Sequence, residues 1–139
     1  MSQITSRAVK SLLAALITLA ALLVPTTGTA VADTAGIAAA CGDTSGFKRS
    51  NLSALPAQAS DTVRMIRNNG PWAYPQDNTV FQNREKLLPL CDSGYYREYT
   101  VKTPGVSHRG ARRVVKGNGN EYFYTADHYA SFVLVNINA

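Results

Sequence analysis

GYYREYTVKTPG, residues 94–105, is the stretch on which the fold turns. Gly94 and Thr103-Pro104-Gly105 are turn residues, and the aromatic and β-branched run between them predicts a strand over Tyr96–Lys102. Alternate side chains of a strand face opposite ways. Tyr99 and Val101 therefore share one face, and Glu98 and Thr100 share the other. The apolar pair suits the side covered by a helix. Glu98 is left on the outer side, in mid-sheet, where a lone carboxylate is an unusual choice. Parity alone is equally consistent with an ordinary solvated strand residue.

Downstream, Ala111–Lys116, Glu121–Thr125 and Ser131–Ile137 have the same character, with Gly117-Asn118-Gly119-Asn120 as a turn. Upstream, Pro56–Asn69 is predicted as a helix. Ser60, Asp61 and Thr62 sit early in it, where acidic and capping groups favour a helix start. Ala59, Val63 and Ile66 recur at spacings of four and three and form one apolar stripe. Asn68-Asn69-Gly70-Pro71 stops the helix, because Gly accepts a left-handed backbone and Pro cannot continue the ladder. Pro71, Pro75, Gln76, Asp77 and Asn78 make a loop. A helix followed by strands implies an α+β domain: one N-terminal helix packed on a twisted antiparallel β-sheet.

The chain has 139 residues, enough for one domain, and its first third stands apart from that domain. Arg7 and Lys10 precede an uncharged run, Ser11–Val24, and Ala30-Val31-Ala32 follows Pro25. A basic start, an apolar centre and a small-residue site make residues 1–32 a secretory signal peptide. Cleavage is expected after Ala32, with Ala40 as the alternative. The run is shorter than the ~20 residues a membrane-spanning helix needs, so no membrane association is expected after cleavage. Removing residues 1–32 takes away two of 14 basic residues and none of nine acidic ones, leaving 12 against nine, a net charge of +3. Residues 33–50 are small and polar and are expected to be a flexible leader, with order beginning near Leu52 and the domain covering 51–139. Cys41 and Cys91 are the only cysteines, and in an oxidising compartment two cysteines most simply form one disulfide. Two Cys and two His, widely spread, make no metal-binding pattern.

Arg109-Gly110-Ala111-Arg112-Arg113 places three arginines in five residues. The planar guanidinium suits phosphate because it offers two parallel charge-assisted hydrogen bonds. The alternative is a solvated strand edge. Asp127-His128-Tyr129 offers a titrating imidazole, although alone such a His is more often a bystander, and His108 is less marked still. Together these groups match the needs of one reaction. RNA contains its own nucleophile, the 2′-OH. Cleaving it takes a base for that proton, an acid for the departing 5′-oxygen and cations around the phosphoryl group. One Glu, one His and an Arg cluster suffice, without a cofactor.

LSALPAQASDTV (Leu52–Val63), QDNTVFQNRE (Gln76–Glu85), GYYREYTVKTPG (Gly94–Gly105), RGARRVV (Arg109–Val115) and YTADHYASF (Tyr124–Phe132) follow one another in an order and spacing that resemble the guanyl-specific microbial ribonucleases. This is the superfamily of barnase and binase, and the likeness is greatest to its streptomycete, ribonuclease Sa-like branch. It runs from about Leu52 to Ile137. The resemblance implies the microbial ribonuclease fold and a secreted endoribonuclease that cuts single-stranded RNA after G, without a metal. It makes Glu98 the general base and His128 the general acid. It gives phosphate binding and transition-state stabilisation to Arg109 and Arg113, with Arg112 an outward-facing neighbour. The reaction implied has two steps: transfer to a 2′,3′-cyclic phosphate, then hydrolysis to a 3′-phosphate.

Base choice maps to Phe81-Gln82-Asn83-Arg84-Glu85. Guanine offers N1–H and N2–H₂ donors beside its O6 acceptor. A Glu85 carboxylate can take both donors while backbone amides near Asn83 and Arg84 meet O6. Adenine would leave that desolvated carboxylate unpaired, and such mismatches discriminate strongly. Phe81 and Tyr129 sandwich or border the ring; the side chains of Gln82 and Arg84 are as consistent with a structural or solvent role as with contact. The base edge concerned is occupied in a duplex, so the substrate is single-stranded or looped.

Two departures mark this chain. The streptomycete enzymes join a Cys near the start of LSALP to one at the C-terminus, and Asn51 and Ala139 stand at those positions. Cys41 and Cys91 look like a replacement bridge. The turn from Lys116 to Glu121 is also about one residue shorter. The alternative function is a non-catalytic RNA- or polyanion-binding module on the same fold; a metal-dependent nuclease would need clustered ligands that the scattered acidic residues do not supply. A monomer is expected, and the family suggests an acidic, barstar-like intracellular inhibitor protein as a partner.

Overall fold

In a computed structural model, residues 38–139 are described. The expected signal peptide (1–32) and the first residues of the expected leader (33–37) lie outside them. Among the described residues, no helix is long and apolar enough to cross a membrane.

The alternation in residues 94–105 produces a central strand. Strand β1 (Arg49–Asn51) leads through a short 3-10 turn at Leu52–Ala54 to helix α1 (Ala57–Arg67). Then come β2 (Thr79–Val80), β3 (Tyr96–Thr100), β4 (Arg113–Gly117), β5 (Tyr122–Thr125) and β6 (Val133–Asn136). The six strands form one sheet in the order β1-β6-β5-β4-β3-β2. The expected α+β class and the four long strands are present, with every end within two residues of the predicted one; β4 starts two residues later and runs one residue further, to Gly117. Every pair from β2 to β6 is antiparallel, but β1 runs parallel to β6, so the sheet is mixed rather than purely antiparallel. β1 and β2 have three and two residues, too few for an alternating pattern to register in sequence.

Order also starts ahead of Leu52. Leu90 donates its amide to Ala39, Ala40 bridges Leu90, and Leu134 donates to the Lys48 carbonyl. The Cys41–Cys91 disulfide is formed, with Cα atoms 4.8 Å apart. Residues 39–50 are thus fastened to the loop at Leu90 and Cys91 and to the start of β6.

The helix differs from expectation in its start. Pro56 is the N-cap, with no side-chain capping bond, and Asp61 lies in the second turn, where it pairs with Arg64 at 2.6 Å. Thr62 is not a cap but a fastener. Its hydroxyl lies 3.0 Å from the Gln58 carbonyl and 2.9 Å from the Thr100 carbonyl of β3. The helix ends as read: Asn69 and Gly70 take positive φ, and Gly70–Pro71 is cis.

The predicted stripe Ala59, Val63 and Ile66 is buried against Tyr99, Val101, Val114, Tyr122, Tyr124 and Val135. Burying side chains of this size contributes roughly 1.5–3 kcal/mol each. A second cluster, Leu88, Tyr96, Val115, Phe123 and Leu134, occupies the other face. Register then sets the site. Glu98 pairs with Val115, and Val115 with Phe123; one step along, Thr100 pairs with Arg113, and Arg113 with Thr125. Glu98, Thr100 and Arg113 therefore share the face opposite the helix.

Candidate active site

Glu98 sits in the middle of β3, its side chain 15% exposed. Its Oε1 accepts from Arg109 Nη2 at 3.2 Å, and its Oε2 accepts from the hydroxyl of Tyr129. The parity argument placed this carboxylate outward, and a half-sheltered site of opposite charge is what it faces. Arg109 lies in the loop before β4. Its Nε donates to the Thr100 hydroxyl at 2.6 Å, and its Nη2 is 3.9 Å from the buried carboxylate of Asp77.

Arg113 is only 2% exposed, and two of its nitrogens are held: Nη1 donates to the Gly110 and Arg112 carbonyls at 2.9 and 2.8 Å, and Nε donates to Tyr129 Oη at 3.2 Å. Its guanidinium lies 5.8 Å from the Tyr129 ring centroid. Arg112, just before β4, is half-buried and donates no side-chain hydrogen bond among the described residues.

His128 and Tyr129 stand in a tight turn between β5 and β6, at φ 55° and 72°. Left-handed backbone at two successive non-Gly residues costs about 1 kcal/mol or more each and persists only where neighbours hold it. Asp127 and Thr125 do so here. Thr125 Oγ1 donates to Asp127 Oδ1 and accepts from the Tyr129 amide, while Ser131 donates its amide and hydroxyl to Asp127. The His128 amide bonds the Ala111 carbonyl at 3.1 Å, docking the turn beside the arginine loop. The Ser131 hydroxyl, then Thr125 and the Ser131 amide, hold the Asp127 carboxyl down at about 2. The imidazole of His128 is exposed, makes no hydrogen bond among the described residues, and has its ring centroid 5.0 Å from that of Tyr129. The Tyr129 phenol is pushed up, first by burial and then by its bond to Glu98.

The structure thus joins Glu98, Arg109, Arg113 and Tyr129 in one hydrogen-bonded cluster, with His128 beside it. The base-recognition segment reaches the cluster through one contact: Phe81 stacks on Tyr129 with centroids 5.0 Å apart and planes at 28°. Two van der Waals spacings of about 3.5 Å separate rings that sandwich a base. As they stand, the two rings leave no space for a base between them, so of the two expected arrangements the geometry fits bordering, and a sandwich requires one ring to swing away.

Asn83 takes a positive φ of 50°, and its side chain is structural. Its amide group donates to the Leu88 carbonyl at 2.8 Å, and its oxygen accepts from the Leu88 amide at 3.0 Å. This folds residues 83–88 into a closed loop. The backbone amides of Asn83, Arg84 and Glu85 donate no hydrogen bond among the described residues, so they are free donors. Gln82, Arg84 and Glu85 are exposed, and their side chains make no hydrogen bond among the described residues. They lie on the loop as expected but make no hydrogen bond to Glu98, Arg109, Arg113 or His128.

Asp77 and Thr100 escaped the sequence reading as parts of the site. Asp77 looked like a loop residue within Gln76-Asp77-Asn78. Thr100 carried a usable signal, since it shares Glu98's face two positions on. Among the described residues, no group of three His, Cys, Asp or Glu side chains is arranged to hold a metal ion.

A ribonuclease family model matches residues 38–136. The chain belongs to the ribonuclease family. The match begins well before Leu52 and so includes residues 38–50, which had been set apart as a leader. The chain is 59% identical over 100 residues to the guanyl-specific ribonuclease St of Saccharopolyspora erythraea, covering 72% of this chain and 99% of that relative. It is 54% identical over 85 residues to the guanyl-specific ribonuclease Sa of Kitasatospora aureofaciens, covering 60% and 88%. Among solved structures, ribonuclease Sa2 in complexes with mononucleotides superposes with a TM-score of 0.65 at 44% identity, over 67% of this chain and 97% of that one. Ribonuclease Sa2 with guanosine-2′-cyclophosphate gives 0.64 at the same identity, over 67% and 99%. The guanyl-specific ribonuclease resemblance drawn from the motifs is thereby established at the level of the family and its fold.

Proposed function

We propose that this ribonuclease is a secreted, guanyl-specific endoribonuclease that cuts single-stranded RNA after G by way of a 2′,3′-cyclic phosphate, with no metal ion. The observation that carries the reading is the cluster itself: a carboxylate in mid-sheet with Arg109 at 3.2 Å and Arg113 linked to it through Tyr129. The names of the relatives, guanyl-specific ribonucleases St and Sa, support it.

In the first step Glu98 accepts the 2′-OH proton, the 2′-oxygen bonds to phosphorus, and the bond to the 5′-oxygen breaks. His128 gives that oxygen its proton. Arg109 and Arg113 face the non-bridging oxygens as negative charge builds on them, where oriented donors in a sheltered site are most effective. In the second step water replaces the departed 5′-oxygen. His128 now removes a proton and Glu98 returns one to the 2′-oxygen, leaving a 3′-phosphate. Glu85 and the free amides of the 83–85 loop are assigned to the guanine edge, and Phe81 and Tyr129 to its faces. The basic and apolar opening of the chain, and a disulfide that an oxidising compartment sustains, support export. An acidic inhibitor protein would find a cationic site to plug, and a monomer acts alone on RNA.

The test is digestion of an unstructured RNA in excess chelator, with cut sites and 3′ ends read out. Cuts after G, with cyclic phosphate appearing before 3′-phosphate, and a rate that falls on both sides of a pH optimum, are expected. A folded protein that binds the RNA without cutting it would replace this reading with that of a binding module.

A further inference from the structure

Among the described residues no backbone carbonyl accepts from the Arg109 guanidinium, whereas two accept from that of Arg113. What Arg109 has is the Thr100 hydroxyl, at 2.6 Å from Nε. The same hydroxyl lies 2.7 Å from Asp77 Oδ1. The direction of this chain is forced. A guanidinium only donates, a carboxylate only accepts, and a hydroxyl has one proton and two lone pairs. The Thr100 proton must therefore go to Asp77, and a Thr100 lone pair must receive the Arg109 Nε–H. Donating to a carboxylate enriches the hydroxyl oxygen and makes it a better acceptor.

Asp77 is itself immobilised. It is 6% exposed; Oδ1 also accepts the Thr100 amide at 2.7 Å, and Oδ2 accepts the Tyr74 amide at 3.1 Å. With two backbone donors already in place, Asp77 does not depend on the hydroxyl for satisfaction. The hydroxyl is the member that faces the reacting groups. Thr100 stands two residues from Glu98 on the same strand face, so the relay ties the guanidinium to the strand that carries the base. Arg109 Nη1 donates no hydrogen bond among the described residues and is the edge left for a phosphate oxygen.

We propose that Thr100, backed by buried Asp77, is a positioning residue that aims the Arg109 guanidinium at the scissile phosphate. The inference rests on the role given above to Arg109 in RNA cleavage. A misplacement of about 1 Å in a site of this kind costs on the order of 10²-fold in rate.

The experiment compares wild type, T100V and T100S in the full folded protein. The substrate is a guanylyl dinucleotide, and kcat and KM are measured separately. Nitrogen-15 spectra of the arginine Nε–H groups are recorded on the same samples without substrate. T100V is expected to lower kcat by about 10- to 10²-fold with KM within about threefold. T100S, which keeps the hydroxyl, is expected to stay within about threefold of wild type. The Arg109 Nε–H should exchange slowly in wild type and T100S and rapidly in T100V, while Arg113 stays protected in all three. A T100V enzyme with wild-type kcat, or a T100S enzyme as impaired as T100V, overturns the proposal. So does an unprotected Arg109 Nε–H in wild type, a reading that does not need T100V to fold. If wild type cuts no RNA yet the exchange pattern appears, the positioning holds and the assigned reaction fails.

Discussion

The residues to which catalysis is assigned above and the loop to which base recognition is assigned lie on the same side of one sheet and are held by different means. Glu98 and Arg113 sit on paired strands, where the ladder fixes each side chain's direction and a slip by one residue would turn both to the helix side. Residues 81–91 have no ladder beyond Phe81. Their shape depends on the Asn83 side chain, on Leu88 and Tyr96 in the second core cluster, and on the disulfide at Cys91. Of the groups assigned above to the chemistry, Glu98 and Arg113 are on the sheet, while Arg109 and His128 are held against it from a loop and a turn by side-chain and backbone hydrogen bonds. The recognition of a flat base edge proposed above, which calls for free amides and an exposed carboxylate, falls on a loop whose amides at 83–85 donate no hydrogen bond among the described residues. Changes in the first region should show in turnover, and changes in the second in base preference or stability.

Four variants sharpen or break that division. The largest effect is expected for H128A. Loss of the general acid should lower kcat by ~10²–10⁴-fold. Because the imidazole is exposed and makes no hydrogen bond among the described residues, thermal melts should show a stability change under about 1 kcal/mol. A large stability loss would mean the turn, not the acid, had been damaged.

E85Q comes next and should act on the other side of the division. Weakening a charge-assisted pair of about 1.5–3 kcal/mol should cut the preference for G over A by roughly 10- to 100-fold. Turnover at the favoured site should change less. An unchanged preference in competing dinucleotide assays would move guanine recognition off this loop.

Removing the bridge as C41S/C91S should lower unfolding free energy by roughly 2–4 kcal/mol in denaturant titrations. If the bridge also shapes the loop, KM for guanylyl substrates should rise more than kcat falls. Equal losses in both would tie the loop to the catalytic row more closely than its contacts suggest.

The smallest effect concerns Asp127, whose carboxyl is lowered from 3.8 to about 2 by Ser131 and Thr125. A depressed carboxyl stabilises the fold above its unfolded value and loses that contribution as pH falls through its folded value. D127N should therefore be less stable than wild type at neutral pH. The gap should close as the pH drops from about 4 to about 2. A gap independent of pH would show that the hydrogen bonds, not the charge, hold the His128 turn.

Much of this was legible from the residues, and the rest was hidden for physical reasons. The stripe of Ala59, Val63 and Ile66 and the parity of Tyr99 and Val101 marked the core because periodicity reports burial directly. Glu98 stood out because a mid-strand carboxylate needs a reason. β1 and β2 carry too few residues for any period, and parallel pairing of β1 with β6 is a tertiary outcome that local pattern does not encode. Asp77 passed for a loop residue because its burial depends on amides of Tyr74 and Thr100, one of them on a distant strand. The left-handed backbone at His128 and Tyr129 has no glycine to announce it. Asn83 was read for its backbone, while its side chain turned out to close the loop.

The Cys41–Cys91 bridge turns residues 41–91 into a covalent ring that contains β1, the helix, β2 and the whole base-recognition loop, with Glu98, Arg109, Arg113 and His128 all outside it. A protease that opens a single peptide bond inside the ring, at the exposed residues 84–87 for instance, divides the polypeptide without detaching anything. Such a molecule would migrate as one band until thiol is added and as two afterwards. The ring lets the exposed residues 84–87 be nicked while both pieces stay joined through the disulfide.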